Sequence, residues 1–299
     1  MITIFTPTYN RADLLLRCYE SLEKQTCKDF RWLVVDDGSI DDTKKTVNLL
    51  KKQADFKVEY LYRENGGKHR AFNLAVSKCK TDYILILDSD DLLAKDAIEV
   101  LNDRCKKIKE NEKICGIIGN KGDLNGNRVG TKIPDVEYVS GLELYQKMHF
   151  KGETLRLYKT TVLKEFPFPE IPGENFVSEN VVFDKIDKKY KMLTIPEVLY
   201  LFEYQNDGLS SCIKQTNKDN PIGYSLSLRS AAETALTIKK KIGVTALYIL
   251  WAKRFHIKDS YNNYSNKIVY LACLPVSFVL WILKVPKFYF DTFREVKDE

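Results

Sequence analysis

Histidine, methionine and tryptophan are scarce, with three of each among 299 residues. His69, His149 and His256 stand far apart without a paired ligand spacing, so no histidine-based metal site is expected. Glycine and proline number only 14 and 9, which excludes collagen-like and low-complexity chains. With 44% hydrophobic and 29% charged residues, a wholly disordered chain is excluded too. The seven cysteines are odd in number and include no CxxC pair, so buried free thiols of a reducing compartment are expected. The opening MITIFTPTYN shows no basic segment followed by an apolar one, as a secretory signal would. Together these set a cytoplasmic expectation. No internal repeat is visible. The net charge of +6 is too small for a general nucleic-acid binder. Its location matters more: residues 1–219 hold 35 basic and 35 acidic side chains, and residues 220–299 hold 12 and 6.

The length suits one or two domains and a sizeable core. Over the first 120 residues, strand-like and helix-like segments alternate. Ile2 to Thr6, Arg31 to Val35, Val58 to Tyr62 and Tyr83 to Leu87 read as buried strands. Helices are expected after Asn10, from Asp41-Asp42-Thr43 to Leu50, from Lys68 to Val76, and from Asp96 to Glu110. Such alternation predicts an α/β fold with a mostly parallel nucleotide-binding sheet flanked by helices. The pattern loosens after Gly116. A helix is expected over 178–188, and the region after Pro221 reads as helical throughout. The expected division is 1–220 for the α/β domain, in halves of about 1–115 and 116–220. Residues 221–299 form a helical, basic, apolar C-terminal extension.

Ligands of such sheets bind at the carboxyl ends of the strands. Three strand ends here carry polar clusters: Thr6 to Arg11, Asp36 to Ser39, and Asp88 to Asp91. Acids two apart at a strand end can share one ion, and hard oxygens suit Mg²⁺ or Mn²⁺. Such an ion would offset a departing diphosphate. Acids there also serve as caps of the next helix, as expected for Asp91. Asp37 can accept from a nucleobase or a ribose, and Tyr9 has a flat face for a base. Lys68, His69 and Arg70 open a helix after Gly66-Gly67, where free N–H groups favour an anion. Core packing for Tyr9 and a solvated helix end for Lys68 to Arg70 are the plainer alternatives.

TPTYNR, VVDDGSIDDT, ENGGKHRAFNLAV and DSDD, in that order over residues 1 to about 100, resemble the family-2 glycosyltransferases of GT-A fold that build bacterial surface glycans. The resemblance implies an inverting transferase using a nucleotide-diphosphate sugar, most often a UDP-sugar, and a divalent metal. By position, Thr6 and Tyr9 would line the base pocket and Asp37 would contact uracil. Asp88 would approach ribose or metal, and Asp90 would be the principal metal ligand. Lys68 and Arg70 would serve the diphosphate.

Displacement at an anomeric carbon needs a base for the acceptor hydroxyl. The family often places a Glu-Asp pair at a helix start in the second half of the domain. Here Ser178-Glu179-Asn180 stands there, and an amide cannot act as that base, which leaves Glu179. Glu174 and Asp184 compete, the latter expected to face solvent. Glu153 and Arg156 are candidates for touching a sugar.

Ile268 to Leu283 is a run of 16 uncharged, mostly apolar residues, short of the roughly 20 that span a bilayer. A surface-lying segment, a span and a buried helix all remain open. Basic neighbours favour a membrane surface, peripheral and on the cytoplasmic face. The expected acceptor is a glycan or lipid-linked glycan. The rivals are a nucleotide-sugar-binding or membrane-docking protein without strong catalysis, and a nucleotidyltransferase. The latter would carry a Gly-rich loop after the first strand, where TPTYNRADLL has no glycine. A haloacid-dehalogenase-like phosphatase would carry its Asp-x-Asp after the first strand, not the fourth.

Overall fold

β-branched and aromatic residues crowd the first four strand segments, and their continuous apolar character demands cover on both faces. A computed structural model describes residues 1–203 and 209–283. In it β1 (Ile2–Thr8), β2 (Phe30–Asp36), β3 (Lys57–Tyr62) and β4 (Tyr83–Ile86) lie parallel in the order β3-β2-β1-β4. Between them run α1 (Ala12–Glu23), α2 (Thr43–Gln53) and α3 (Lys68–Lys78). The register pairs Thr8 with Asp36 and Asp36 with Tyr62, so three strands end level. Alternation along β1 sends Ile2 and Ile4 into a core with Leu15, Cys18 and Trp32. Phe5 points the other way and meets Phe72 of α3 edge-on, ring centres 5.7 Å apart.

The chain continues through β5 (Leu92–Leu93), α4 (Ala97–Ile108), β6 (Ile114–Gly122), β7 (Tyr138–Val139) and α5 (Gly141–Gln146). Then come β8 (Thr154–Lys159), α6 (Thr160–Glu165), α7 (Asn180–Lys189) and β9 (Lys191–Leu201). These strands extend the sheet as β4-β8-β6-β9-β5, with β7 also on β9. β8 runs antiparallel to β4 and β6, and β5 and β7 run antiparallel to β9. The mixed α/β fold is as expected, but its second half is less parallel than its first. Antiparallel neighbours need no helical crossover, which is why the regular alternation fades after Gly116.

Two units divide the chain. The first is Met1–Glu170 with the stretch from Ile186 to the end of β9. The second is Ile171–Lys185 with α8 (Leu209–Asp219), α9 (Pro221–Glu233), α10 (Ile238–Arg254), α11 (Ser260–Asn263), α12 (Lys267–Ala272) and α13 (Leu274–Ile282). The break is therefore not at 220. Residues 171–185 go with the helices because reciprocal hydrogen bonds hold them to the start of α9. Glu174 accepts from Ile222 N and Gly223 N, both at 2.7 Å, while Asn220 Oδ1 accepts from Asn175 N and Phe176 N at 2.8 and 3.0 Å. Leu228, Ala232, Tyr248, Trp251, Tyr264, Tyr270 and Cys273 form this unit's own core.

No cysteine is in a disulfide, but their burial is uneven: Cys27 is half-buried and Cys212 exposed. Among the described residues no helix is long and apolar enough to cross a membrane. The 268–283 run breaks at Cys273, with Pro275 in the first turn of α13.

Candidate active site

The loop after β1 is tied to the loop after β2. Asn10 takes a left-handed conformation, φ 52°, and its Oδ1 accepts from Ile40 N at 2.9 Å. Asn10 N donates to Ser39 Oγ at 2.8 Å, and Ala12 N to Asp41 Oδ2 at 3.1 Å. Tyr9 is 47% exposed, its ring available to a planar partner. Thr6 is not: its side chain is wholly buried, and Oγ1 accepts from Trp32 Nε1 at 2.9 Å. Strand alternation puts it on the same face as Ile2 and Ile4, so its hydroxyl belongs to the core and not to a base pocket. Thr8 ends the strand instead, buried, its hydroxyl without a hydrogen-bond partner.

Asp36 and Asp37 are both consumed locally. Asp36 accepts from Ser39 N at 2.8 Å and from Tyr60 Oη at 2.6 Å. Asp37 accepts from Arg63 Nη1, from Asn65 Nδ2 at 3.3 Å, and from Gly66 N and Gly67 N, the latter at 2.6 Å. A carboxylate has about four acceptor positions, so a base N–H reaching Asp37 competes with these donors. The Gly66 and Gly67 N–H groups are spent on Asp37, so an anion at this helix start would meet the turn from Lys68 to Arg70 that follows them. Glycine is required twice here. Gly67 has φ +99°, and Gly38 has φ +91° with a Cβ position only 2.5 Å from Asn65 N.

The third strand end differs. Lys68 Nζ lies 2.8 Å from Asp88 Oδ1, and Asp88 N donates to Tyr200 Oη at 3.1 Å. Tyr200 Oη in turn donates to Asp91 Oδ2 at 2.7 Å. Lys121 Nζ stands 3.6 Å from Asp91, 3.2 Å from Glu153 and 4.0 Å above the Tyr200 ring. Burial pushes Asp88 upward, but the charges of Lys68 and Lys121 outweigh it and hold the carboxyl below its ordinary range. Burial and the neighbouring Asp88 charge together push Asp90 up. Burial takes Asp91 to about 7, against the pull of Lys121. Lys121 is itself driven up, because Glu153, Asp91 and Asp88 outweigh its burial. Asp91 does not cap a helix as expected; α4 starts at Ala97 with Asp96 as the residue before it, and the Asp91 carboxylate is held by Tyr200 and Lys121.

Lys121 and Tyr200 are the participants that the sequence reading missed. A lysine near the end of the otherwise apolar ICGIIGNKG strand was the available signal for the first. Tyr200, on an unremarkable strand, gave none. Glu153 faces Lys121, and Arg156 donates to Tyr158 Oη at 3.0 Å beside buried Asp187, so both have internal partners. Arg70 Nε lies 4.0 Å from Glu170 Oε2.

In the second unit, Glu179 is exposed just before α7, and its carbonyl accepts from Val182 N and Phe183 N. Glu174 is excluded as a base by its two bonds to the start of α9. Asp184 does not face solvent freely: it is half-buried and accepts from Asn180 Nδ2 at 3.2 Å and Thr234 Oγ1 at 3.4 Å. Asn180 also donates to the Ser227 carbonyl at 3.1 Å and accepts from Ser227 Oγ at 2.7 Å. An aspartate could not make that donation, which accounts for the amide.

Among the described residues no three His, Cys, Asp or Glu side chains converge as a metal cage. Asp88 and Asp90 do offer hard oxygens, and a dication beside Asp90 would offset both the burial and the Asp88 charge that push it up.

With this strand-end arrangement in view, the sequence profile of Glycosyl transferase family 2 matches residues 3–166. The chain belongs to that family. It is similar to glycosyltransferase GlyG of Streptococcus pneumoniae, 34% identical over 128 residues, 42% of each chain. It is similar to chondroitin synthase of Pasteurella multocida, 29% identical over 231 residues, 74% of this chain and 22% of that protein. The chain thus spans less than half the length of either relative. The fold is that of S. aureus TarS solved with UDP-GlcNAc, with a TM-score of 0.58 and 20% identity, covering 91% of this chain and 79% of that one.

Proposed function

We propose that this family-2 chain moves a sugar from a nucleotide-diphosphate sugar, with a UDP-sugar first in line, to a hydroxyl of a glycan or lipid-linked glycan. The observation that carries the reading is the strand-end cluster in which Asp88 is held ionised by lysines while burial and the Asp88 charge push Asp90 up despite the charges of Arg11 and Lys68. The UDP-GlcNAc complex of TarS and the glycan named in the chondroitin synthase support the donor and acceptor classes.

Tyr9 offers its ring to the base, and Asp37 accepts a base N–H by giving up one of its present donors. Lys68 and Arg70 supply positive charge to the diphosphate. Asp90, with Asp88, would hold Mn²⁺ or Mg²⁺, which when bound offsets the charge on the departing diphosphate. Glu179 takes the acceptor proton as the oxygen bonds to the anomeric carbon and the carbon–diphosphate bond breaks from the opposite side, inverting the centre.

The test is a thermal-shift panel of nucleotide diphosphates and nucleotide sugars with Mn²⁺, followed by transfer assays on Glu179→Gln. A preferred donor raises the melting temperature with concentration. The variant keeps that shift while transfer falls by on the order of 10²–10⁴-fold. No response to any uridine nucleotide removes the donor assignment, and normal transfer by the variant moves the base elsewhere. Donor binding without turnover in the parent would instead favour a binding protein.

A further inference from the structure

The last described helices of the second unit bury a narrow face and expose a broader apolar one. Tyr270, Cys273 and Ser277 of the α12–α13 stretch are 8%, 1% and 5% exposed and face the unit's core. Across the helix Ile268, Leu271, Leu274, Phe278, Trp281 and Ile282 stand 42–80% exposed. Phe278 and Trp281 stack on one another at 5.9 Å, forming part of this face rather than reaching inward. Exposed apolar residues are ordinary singly, but a contiguous helical stripe of six marks a docking surface.

Charge selects the occupant. Between Asn220 and Leu283 the chain has eight Lys and Arg against two acids, whereas residues 1–219 are balanced. Lys253 Nζ lies 6.0 Å from the Trp281 ring, at the edge of the apolar stripe, with exposed Arg254 next in sequence. A protein partner would need matching acids around an apolar ridge; an anionic bilayer supplies both along its whole surface. The stretch from Lys267 to Ile282 is about 24 Å long, too short for a roughly 30 Å hydrocarbon core. Its form is that of a helix lying in the interface, with an aromatic residue at headgroup depth.

We infer that the exposed face of α12–α13 docks on an anionic lipid surface, with Lys253 and Arg254 at its charged rim. This inference does not depend on which sugar is moved, or on whether one is.

The test is sedimentation of the full chain with vesicles of phosphatidylglycerol and phosphatidylcholine, and with phosphatidylcholine alone. The parent pellets with the anionic vesicles and is released by salt. Phe278→Glu/Ile282→Glu lowers partitioning by on the order of tenfold or more, since it puts charge on the inserted face. Ile268→Glu, at an 80% exposed position, acts in the same direction without touching the core. Lys253→Glu/Arg254→Glu weakens anionic binding alone. Variants that pellet as well as the parent, a parent that stays in solution, or equal binding to phosphatidylcholine overturn the inference. So does a parent that runs as a dimer which Phe278→Glu splits, since the face would then be a contact between copies.

Discussion

The ends of β2 and β4 both present adjacent aspartates, yet their surroundings are opposite. Asp37 is ringed by donors from Arg63, Asn65, Gly66 and Gly67. Asp90 sits beside a second carboxylate, and its own is pushed up by burial and by that neighbour. The first arrangement spends its charge on holding a loop, while the second keeps charge in reserve. Unrelieved repulsion at a strand end is what a functional site sustains and a structural one avoids. The first turn of α3 joins the two: Gly67 N donates to Asp37, and the next residue, Lys68, pairs with Asp88. A helix start therefore couples the loop's shape to the charge at the acid cluster.

Substitution separates the two ends. Asp90→Asn is expected to lower transfer by on the order of 10²–10³-fold or more, the scale of losing one electrostatic group in a reacting centre. Its melting temperature should hold or rise, because the neutral amide removes the repulsion with Asp88. Asp37→Ala is expected to do the reverse in stability. It strands the buried Gly66 N–H, the half-buried Gly67 N–H and the Arg63 guanidinium, costing about 3 kcal/mol in a denaturant titration. An Asp90→Asn protein that unfolds early, or an Asp37→Ala protein as stable as the parent, would collapse the distinction.

The parallel half of the sheet was legible because each strand is a short apolar run ending in polar punctuation. The local order of DDGS and GGKH was equally plain. What the sequence concealed is direction and partner. Thr6 and Tyr9 look equivalent in TPTYN, but alternation sends the Thr6 hydroxyl to Trp32 and leaves Tyr9 outside. Asp91 looks like a cap until β9, more than a hundred residues later, brings Tyr200 to it. Lys121 arrives from β6 in the same way. Strands that join a sheet from far along the chain leave no local signature, so the residues they deliver are the ones sequence reasoning loses. Glu174 and Glu179 show the same limit. Both are acids near a helix start, and nothing local in GENFVSEN foretells that Glu174 is buried and accepts from Ile222 N and Gly223 N.

An effect that vanishes at neutral pH tests the link between the two ends. His69 follows Lys68 on α3, is 3% exposed, packs edge-on against Phe168 at 6.4 Å, and has no hydrogen-bond partner for either ring nitrogen. Burial, with Arg70 nearby, takes it down to about 4 from the ordinary 6.5. The native state therefore refuses a proton that the unfolded chain accepts. Its contribution is intact above pH 6.5 and is lost as pH falls toward 4, by on the order of 3 kcal/mol. Asp91 has the opposite sign: raised to about 7, it contributes stability at low pH that is lost as pH rises through 7. The parent's own profile mixes these two slopes, so the useful quantity is a difference. Stability of His69→Phe minus that of the parent, from denaturant melts across pH 4–7, should climb steadily as pH falls below 6.5. A flat difference would mean that His69 takes up its proton in the folded chain. The start of α3 would then carry a third positive charge between the two acid clusters, and the contrast between them would need redrawing.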